Sequence, residues 1–258
     1  MIGLPILAVL AVGQAPDSSA EDVERFLKMA EIVATEPVGE GITAALRVEL
    51  SDGEMQRPAI FKAVETGHEF GFLYGTEMSP VYRDSSQHEI AAYELDKLIG
   101  LGLIPPVVER EIDGQTGSLQ MWIEGTWRRF VEGQPPPDRR RADDDVHSTR
   151  LLDYLIFNTD RHFRNLIFGP GWRPIVIDHS IGFHAMKVPF RPLYRFPRQP
   201  IERLRALKGR QIREALEPYL SKEQIKWVER RRKVVLDLVK ASVDRNGSSV
   251  ALYDWSPP

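Results

Sequence analysis

Apolar and polar residues alternate along much of the first half of the chain, as they do in strands with one buried face. The segments with this pattern are residues 45–50, 58–64, 107–112 and 118–124. The turn signals Ser51-Asp52-Gly53 and Asp113-Gly114 join these segments into two hairpins. Helical spacing predicts an amphipathic helix over residues 20–34 and another over 86–99, and the glycine-containing segment 67–83 is predicted to be irregular.

Helical spacing dominates the second half of the chain. The proline-rich and charged segment 132–145 is predicted to be a solvated connector, because blocks of arginine and of aspartate follow one another there. A helix is predicted next, ending near Asn158. Ser221 and Gln224 form a capping-box pattern that begins the last long helix. Two short apolar strands are also predicted in this half, at residues 166–168 and 175–177.

Composition narrows the classes of protein to which the chain can belong. Of its 258 residues, 42% are hydrophobic and 28% are charged, which is enough apolar material to form a core without disulfides. The absence of cysteine excludes a disulfide framework, an iron–sulfur cluster and a cysteine nucleophile. Lysine and arginine number 34 against 37 acidic residues, so the chain has no net positive charge that would favour a nucleic-acid partner. The basic run 230–233 is predicted to lie on a solvated helix face.

The first 19 residues are predicted to be an apolar N-terminal extension. Residues 2–13 are apolar and resemble the core of a secretory signal, but no lysine or arginine precedes Arg25. This run is shorter than the roughly 20 apolar residues that a transmembrane helix needs, so no transmembrane segment is expected. A cytoplasmic protein is the favoured prediction, with export or a membrane tether through this segment as the alternative.

Three polar residues in the second half have the types and spacing that phosphoryl transfer requires. Asn165 follows Asp160 by five residues, and Asp178 comes after a predicted hairpin. Transfer from ATP needs a carboxylate beside the attacking hydroxyl and oxygen ligands for the Mg²⁺ that bridges the phosphates. The hairpin would return Asp178 to a place beside Asn165. The segment therefore predicts a catalytic base and a metal site built from adjacent turns.

The motif Asp160-Arg161-His162-x-x-Asn165 resembles the catalytic loop of the atypical branch of the protein-kinase-like fold. That branch includes phosphoinositide 3- and 4-kinases, bacterial HipA-type kinases and, more loosely, the secretory-pathway kinases related to four-jointed. The element Asp178-His179-Ser180-Ile181-Gly182-Phe183 stands where protein kinases have Asp-Phe-Gly, and it is similar to the Asp-Asn-Gly-x-x-Phe form of type II phosphatidylinositol 4-kinases. The resemblance implies that Asp160 is catalytic and that Asn165 and Asp178 ligate magnesium.

Upstream residues extend this resemblance to the nucleotide. Lys62 lies in the predicted strand 58–64, where it is either a lysine that pairs with the phosphates of ATP or an ordinary solvent-facing strand residue. Glu89 matches the acidic residue that pairs with this lysine in the resembling kinases. Two alternatives stay open, because Ser86 and Glu89 also fit a capping box and Glu94 is a second candidate partner for Lys62.

The resemblance also implies where the base and the phosphates of the nucleotide bind. Met121 and Ile123 lie where kinases have a hinge segment whose backbone hydrogen-bonds the adenine, and Met121 fits a plain core residue equally well. Gly39 and Gly41 are a reduced form of the glycine-rich loop that covers the phosphates, and they lack the full G-x-G-x-x-G pattern.

The fold that the resemblance implies is α+β, a two-lobed protein-kinase-like fold. A small strand-rich N-lobe would occupy residues 20–125 and a larger helical C-lobe residues 126–258. ATP with Mg²⁺ or Mn²⁺ would bind in the cleft, and the γ-phosphate would pass to an acceptor hydroxyl of unknown class, with protein or small molecule favoured over lipid. The alternatives are a pseudokinase or nucleotide-binding scaffold, and a lipid kinase of the phosphoinositide type. The oligomeric state stays open.

Overall fold

The computed structural model describes residues 19–38, 45–68, 73–74, 77–78, 82–123, 138–185 and 193–257. The strands are β1 (Glu31–Pro37), β2 (Leu46–Ser51), β3 (Gln56–Lys62), β4 (Glu65–His68), β5 (Leu73–Tyr74), β6 (Glu77–Met78), β7 (Tyr82–Ser85), β8 (Val107–Ile112), β9 (Gln115–Met121), β10 (Leu166–Phe168), β11 (Pro174–Val176), β12 (Phe196–Pro197) and β13 (Leu252–Tyr253). The helices are α1 (Ala20–Met29), α2 (Ser86–Ile99), α3 (Arg139–Ile156), α4 (Arg198–Ala206), α5 (Gly209–Leu216), α6 (Lys222–Asn246) and α7 (Ser248–Ala251).

A five-stranded antiparallel sheet in the order β1-β2-β3-β9-β8 forms the first half of the fold. Both predicted hairpins are confirmed within it. At the turn between β8 and β9, Asp113 and Gly114 have φ angles of 51° and 76°. Positive φ at both central residues is the geometry of a two-residue hairpin turn, which glycine adopts without steric cost.

The predicted helix over residues 20–34 is too long. The helix α1 ends at Met29, and the chain continues as β1, which pairs with β2 along the edge of the sheet. The amphipathic pattern was therefore correct only for residues 20–29, because pairing with β2 decides the conformation of the residues that follow. The predicted irregular segment 67–83 also contains strand pairs, β4 with β7 and β5 with β6.

The helix α2 is buried on nearly every side, between the sheet and the C-terminal helices. Its N-cap is Ser85, whose hydroxyl accepts a hydrogen bond from the N–H of Gln87, so the capping box predicted for Ser86 and Glu89 does not form. Its C-cap, Gly100, has a φ of 70°, the left-handed conformation typical of helix C-termini. The carboxylate of Glu89 is therefore available for another partner.

A buried carboxyl at the end of α2 holds the loop that supports β11. The two oxygens of Asp96 accept hydrogen bonds from the backbone N–H groups of Gly102, at 3.0 Å, and Ile104, at 2.8 Å. Between them, the carbonyl of Leu103 accepts the N–H of Val176, at 2.9 Å. Burial raises the pKa of Asp96 to about 7, against the lowering effect of these backbone donors.

We expect the unfolding free energy of the wild type to fall by about 2–4 kcal/mol more than that of Asp96→Asn as pH rises from about 4 to 8. A carboxyl whose folded pKa lies above its ordinary value of 3.8 binds its proton more tightly in the folded state. The stability that it contributes is full below that value and is lost as pH rises through about 7. Urea unfolding of both proteins across this range measures the difference; parallel stability curves would contradict the prediction.

The solvated connector predicted over residues 132–145 is wrong for residues 139–145, which form the first turns of α3. Asp138 is the N-cap, and its side chain accepts the N–H of Arg141 at 3.0 Å. The aspartates that follow are not in a solvated segment, because Asp144 pairs with Arg195 at 2.8 Å and Asp145 is buried. Residues 132–137 lie outside the described part of the chain.

The last long helix, α6, begins at the predicted capping box and crosses the whole helical half. The prediction of a solvated basic face is wrong at Arg231, which is fully buried. Its guanidinium donates to the backbone carbonyls of Leu155, at 2.8 Å, and His184, at 2.9 Å. Burial lowers the pKa of Arg231 to about 9. Among the residues that the structure describes, no helix is long and apolar enough to cross a membrane.

Two hydrophobic clusters hold the fold together. The smaller lies between α1 and the sheet and includes Leu27 and Phe61. The larger joins α2, α3 and α4–α6 with the chain after α7, where Trp255 donates its indole N–H to the carbonyl of Leu101 at 2.9 Å. The helix α2 is thus packed into the C-terminal half as well as under the sheet.

Candidate active site

Lys62 is the last residue of β3, and its ammonium lies between two carboxylates. Its Nζ is 2.6 Å from Oε1 of Glu89 and 3.0 Å from Oδ1 of Asp178, and 13% of its side chain is exposed. Burial alone would lower the pKa of Lys62, but the charges of Glu89 and Asp178 outweigh it and raise the pKa above its ordinary value. The lysine therefore stays protonated and is not an ordinary solvent-facing strand residue.

Glu89 uses both of its oxygens. Oε1 binds Lys62, and Oε2 accepts the backbone N–H of His179 at 2.9 Å and its ring Nδ1 at 3.2 Å. Burial alone would raise the pKa of Glu89, but the charge of Lys62 and the hydrogen bond from His179 hold it well below its ordinary value. Glu94, the other candidate partner of Lys62, instead pairs with Lys97 at 2.9 Å.

Asp178 follows β11 in a strained backbone conformation. Its φ is 62°, in the left-handed region that few residues other than glycine, asparagine and aspartate adopt. The hydroxyl of Ser180 donates to its Oδ1 at 3.3 Å, and 42% of the side chain is exposed. The carboxylate is therefore held at one oxygen and accessible to a ligand.

The loop from Asp160 to Asn165 is closed by hydrogen bonds within itself. The N–H of Asp160 donates to the side chain of Asn158 at 2.9 Å, and Nδ2 of Asn165 donates to the carbonyl of Asp160 at 3.1 Å. Nδ1 of His162 accepts the N–H of Arg164 at 3.1 Å and caps the short 3-10 turn that follows. The side chain of Asp160 is 48% exposed, so it can contact an acceptor molecule.

Arg161 joins this loop to the hairpin of β10 and β11. Its guanidinium forms a salt bridge with Asp153 of α3, at 3.0 Å. It also donates to the carbonyls of Asn165, at 2.8 Å, and Ile177, at 2.7 Å. Ile177 in turn donates its N–H to the carbonyl of Asn165 at 3.2 Å. Asn165 and the residue before Asp178 are therefore fixed side by side, as the predicted hairpin requires.

The roles of two residues near the site were not predicted from the sequence. Burial lowers the pKa of His179, so that its ring is a neutral donor to Glu89. Asp84, in β7, is also buried, and burial together with the charge of Asp178 raises its pKa. Asp84 lies one residue after the segment predicted to be irregular and immediately precedes the N-cap Ser85, so only its tertiary environment distinguishes it.

Four predicted nucleotide-site residues remain, two in the described part of the chain and two outside it. The side chain of Met121 packs with the smaller hydrophobic cluster, on the face of the sheet that α1 covers. Ile123 is partly exposed at the end of a described range. Gly39 and Gly41 lie outside the described residues.

The chemistry of Asn165 and Asp178 fits a divalent cation, because Mg²⁺ prefers carboxylate and amide oxygens. Nδ2 of Asn165 is engaged with Asp160, which leaves its Oδ1 as the amide atom available to a cation. Within the described ranges, no three histidine, aspartate or glutamate side chains converge to hold a metal by themselves. The remaining ligands would be phosphate oxygens and water, as is usual for Mg²⁺ at nucleotide sites.

No protein-family model matches this sequence, and no curated protein is similar to it in sequence. Solved structures with a similar fold include that of hydra Fam20 with sugar, with a TM-score of 0.63 and 17% identity over 91% of this chain and 92% of that one. They also include the Golgi casein kinase, with a TM-score of 0.62 and 14% identity over 92% of this chain and 80% of that one.

The Golgi casein kinase with Mn and ADP bound gives a TM-score of 0.61. The Helicobacter pylori proinflammatory kinase CtkA gives 0.57, with 12% identity over 85% of this chain and 98% of that one. This chain has a kinase-like fold. The predicted α+β, kinase-like fold class is thereby confirmed, and so is the resemblance to atypical kinases at the level of fold. The narrower resemblance to phosphoinositide and HipA-type kinases stays a prediction.

Proposed function

We propose that this chain is an ATP-dependent kinase that transfers the γ-phosphate to an acceptor hydroxyl in the presence of Mg²⁺ or Mn²⁺. The observation that carries the proposal is the position of Lys62 between Glu89 and Asp178, at 2.6 Å and 3.0 Å, next to the loop that contains Asp160 and Asn165. The kinase-like fold, shared with a kinase whose structure contains Mn and ADP, supports it.

In this proposal, Lys62 binds the phosphates of ATP through its permanently charged ammonium. Glu89 keeps that ammonium in place, since its second oxygen is anchored to His179. Asn165 and Asp178 would hold the cation, which when bound supplies positive charge that offsets the charge of the phosphates. Asp160 orients the acceptor hydroxyl or accepts its proton. Catalysis would then rest on positioning and charge rather than on a covalent intermediate.

The rest of the nucleotide site is also part of the proposal. Residues 20–125 would form the N-lobe and 126–258 the C-lobe, with Met121 and Ile123 presenting backbone groups to the adenine. Gly39 and Gly41 would cover the phosphates. Protein or small-molecule acceptors are favoured over lipid, and the name of the Golgi casein kinase supports a protein acceptor.

We expect ATP with Mg²⁺ or Mn²⁺ to raise the melting temperature of the wild type and to do so much less for Asp178→Ala. Ligand at 100 times its dissociation constant adds about 2.7 kcal/mol, which is roughly 5–10 °C for a chain of this size. Differential scanning fluorimetry with and without the metal measures the effect. Asp237→Ala, at an exposed position of α6, is the control and should respond like the wild type. Equal shifts for Asp178→Ala and the wild type would remove Asp178 from the metal site.

Radiolabelled ATP then tests the transfer itself. The purified protein is incubated with native lysate and labelled ATP, and label is counted in the protein, lipid and small-molecule fractions. Label above that of the Asp160→Asn variant in the protein or small-molecule fraction supports the proposal. Label in the lipid fraction would favour a lipid kinase. Nucleotide binding without any transfer would favour a scaffold.

A further inference from the structure

The backbone turn after Asp178 is held by the first turn of α2. The carbonyl of Ser180 accepts the N–H of Ser85, at 3.0 Å, and a hydrogen bond from Nδ1 of His88, at 2.7 Å. The N–H of His179 donates to Glu89, at 2.9 Å. We call these three contacts the α2 clamp. Because φ of Asp178 is in the left-handed region, this turn needs such support to keep its conformation.

The clamp is connected to the N-terminus of α6, far along the chain. Nε2 of His88 is 2.9 Å from Nε2 of Gln224. Gln224 is also the capping-box residue of α6: its Oε1 accepts the N–H and the hydroxyl of Ser221, both at 2.9 Å. One glutamine side chain therefore joins a helix cap to a histidine of the active-site helix.

Hydrogen-bond chemistry fixes the direction of this connection. Oε1 of Gln224 is committed to the donors of Ser221, so the group that faces His88 is its amide N–H, which can only donate. Nε2 of His88 must therefore accept, and the ring proton must reside on Nδ1. A carbonyl can only accept, so the bond from Nδ1 to Ser180 requires the same tautomer. Both of these hydrogen bonds require the His88 tautomer with the proton on Nδ1, and Gln224 stabilises this tautomer, which is the one that binds the turn.

We propose that Gln224 and His88 are positioning residues of the active site, through which the N-terminus of α6 holds the turn that presents Asp178. Only the part of this inference that concerns the binding of nucleotide and metal rests on the proposed function. When Gln224 cannot donate, the Nδ1–H tautomer loses its support and the bond to Ser180 weakens. The turn is then free to leave its left-handed conformation at Asp178, and the carboxylate leaves the cation site.

The test compares two glutamines that occupy the same position of two helix caps. Gln211 caps α5 as Gln224 caps α6, since its Oε1 accepts the N–H of Lys208 at 2.9 Å, but its side chain is exposed and has no histidine partner among the described residues. Gln224→Met and Gln211→Met each lose the hydrogen bond from the backbone N–H of the N-cap residue, and Gln224→Met also loses the one from the hydroxyl of Ser221. Both should therefore lower the melting temperature, Gln224→Met by more. Only Gln224→Met also removes the donor to His88.

Calorimetric titration with Mn²⁺ and ADP should show about fivefold weaker binding for Gln224→Met, the equivalent of one hydrogen bond of about 1 kcal/mol. Gln211→Met should bind as the wild type does. His88→Leu should weaken binding by roughly 30-fold, since both bonds are lost. His88→Asn should recover part of this loss, because its amide N–H can take the place of Nδ1–H. Equal affinities for Gln224→Met and Gln211→Met would overturn the inference.

A second measurement keeps the inference separate from the kinase proposal. Amide hydrogen exchange, followed by NMR without nucleotide, should show faster exchange at His179 and Ser85 in Gln224→Met than in Gln211→Met. Unchanged protection at both amides would overturn the coupling whatever the binding data show. If the wild type itself failed to bind Mn²⁺ and ADP, the proposed function would fail, while faster exchange in Gln224→Met would still support the coupling.

Discussion

Replacing Asp160 with asparagine should lower the rate of phosphoryl transfer by about 10²- to 10⁴-fold, the range that a positioned base contributes. Affinity for Mn²⁺ and ADP should stay within about twofold of the wild type, because in the proposed function Asp160 contacts the acceptor and not the cation. The asparagine keeps the volume of the side chain, and the backbone bonds of Asp160 to Asn158 and Asn165 do not involve the altered group. Steady-state kinetics with the acceptor fraction identified by labelling measures the rate, and calorimetry measures the affinity.

Asp113→Asn is the matched control for this variant. Asp113 is an exposed aspartate in the turn between β8 and β9, and asparagine tolerates its positive φ well. Its transfer rate should equal that of the wild type. If Asp160→Asn transferred phosphate as fast as Asp113→Asn, Asp160 would have no catalytic role. If its affinity fell together with its rate, the residue would belong to the nucleotide site instead.

Lys62→Met should destabilise the fold strongly, by about 3–5 kcal/mol, in addition to any effect on activity. The side chain of Glu89 is only 4% exposed, and the substitution leaves its carboxylate buried without its cation. Such a loss is a large part of the free energy of unfolding of a typical domain, which is about 5–15 kcal/mol. Urea unfolding at neutral pH measures it. The double variant Lys62→Met/Glu89→Gln should regain a large part of the loss, because the amide carries no charge and its oxygen can still accept the N–H of His179.

The pH dependence provides an independent check on this explanation. In the wild type the pKa of Glu89 is depressed, so the stability that Glu89 contributes is full above the ordinary pKa of 4.5 and is lost as pH falls further below it. Without Lys62, burial raises the pKa of Glu89 in the folded variant, and protonation relieves the buried charge. The difference in stability between wild type and Lys62→Met should therefore shrink as pH falls from about 7 to 5. A difference that is constant over this range would mean that Glu89 is not the cause.

Local signals account for the parts of the fold that were predicted correctly. The turn at Asp113 and Gly114 and the capping box of Ser221 and Gln224 involve residues no more than three apart, so the sequence alone specifies them. The closeness of Asn165 and Asp178 could also be predicted from the sequence, because only a short hairpin separates them and its closure brings them together. Residue types at fixed spacing are sufficient to predict which residues lie together wherever the intervening chain is short and regular.

Burial and the choice of partner were decided only by tertiary structure. The sequence determined the two hairpins, the cap of α6, the spacing from Asp160 to Asp178 and the kinase-like α+β class. It could not determine whether Glu89 or Glu94 pairs with Lys62, since that pair spans 27 residues and depends on how α2 lies under the sheet. It also gave no indication of the contact between His88 and Gln224, which are 136 residues apart. Local propensity acts over a few residues, whereas such contacts form only when separate elements pack together and exclude water from the groups between them.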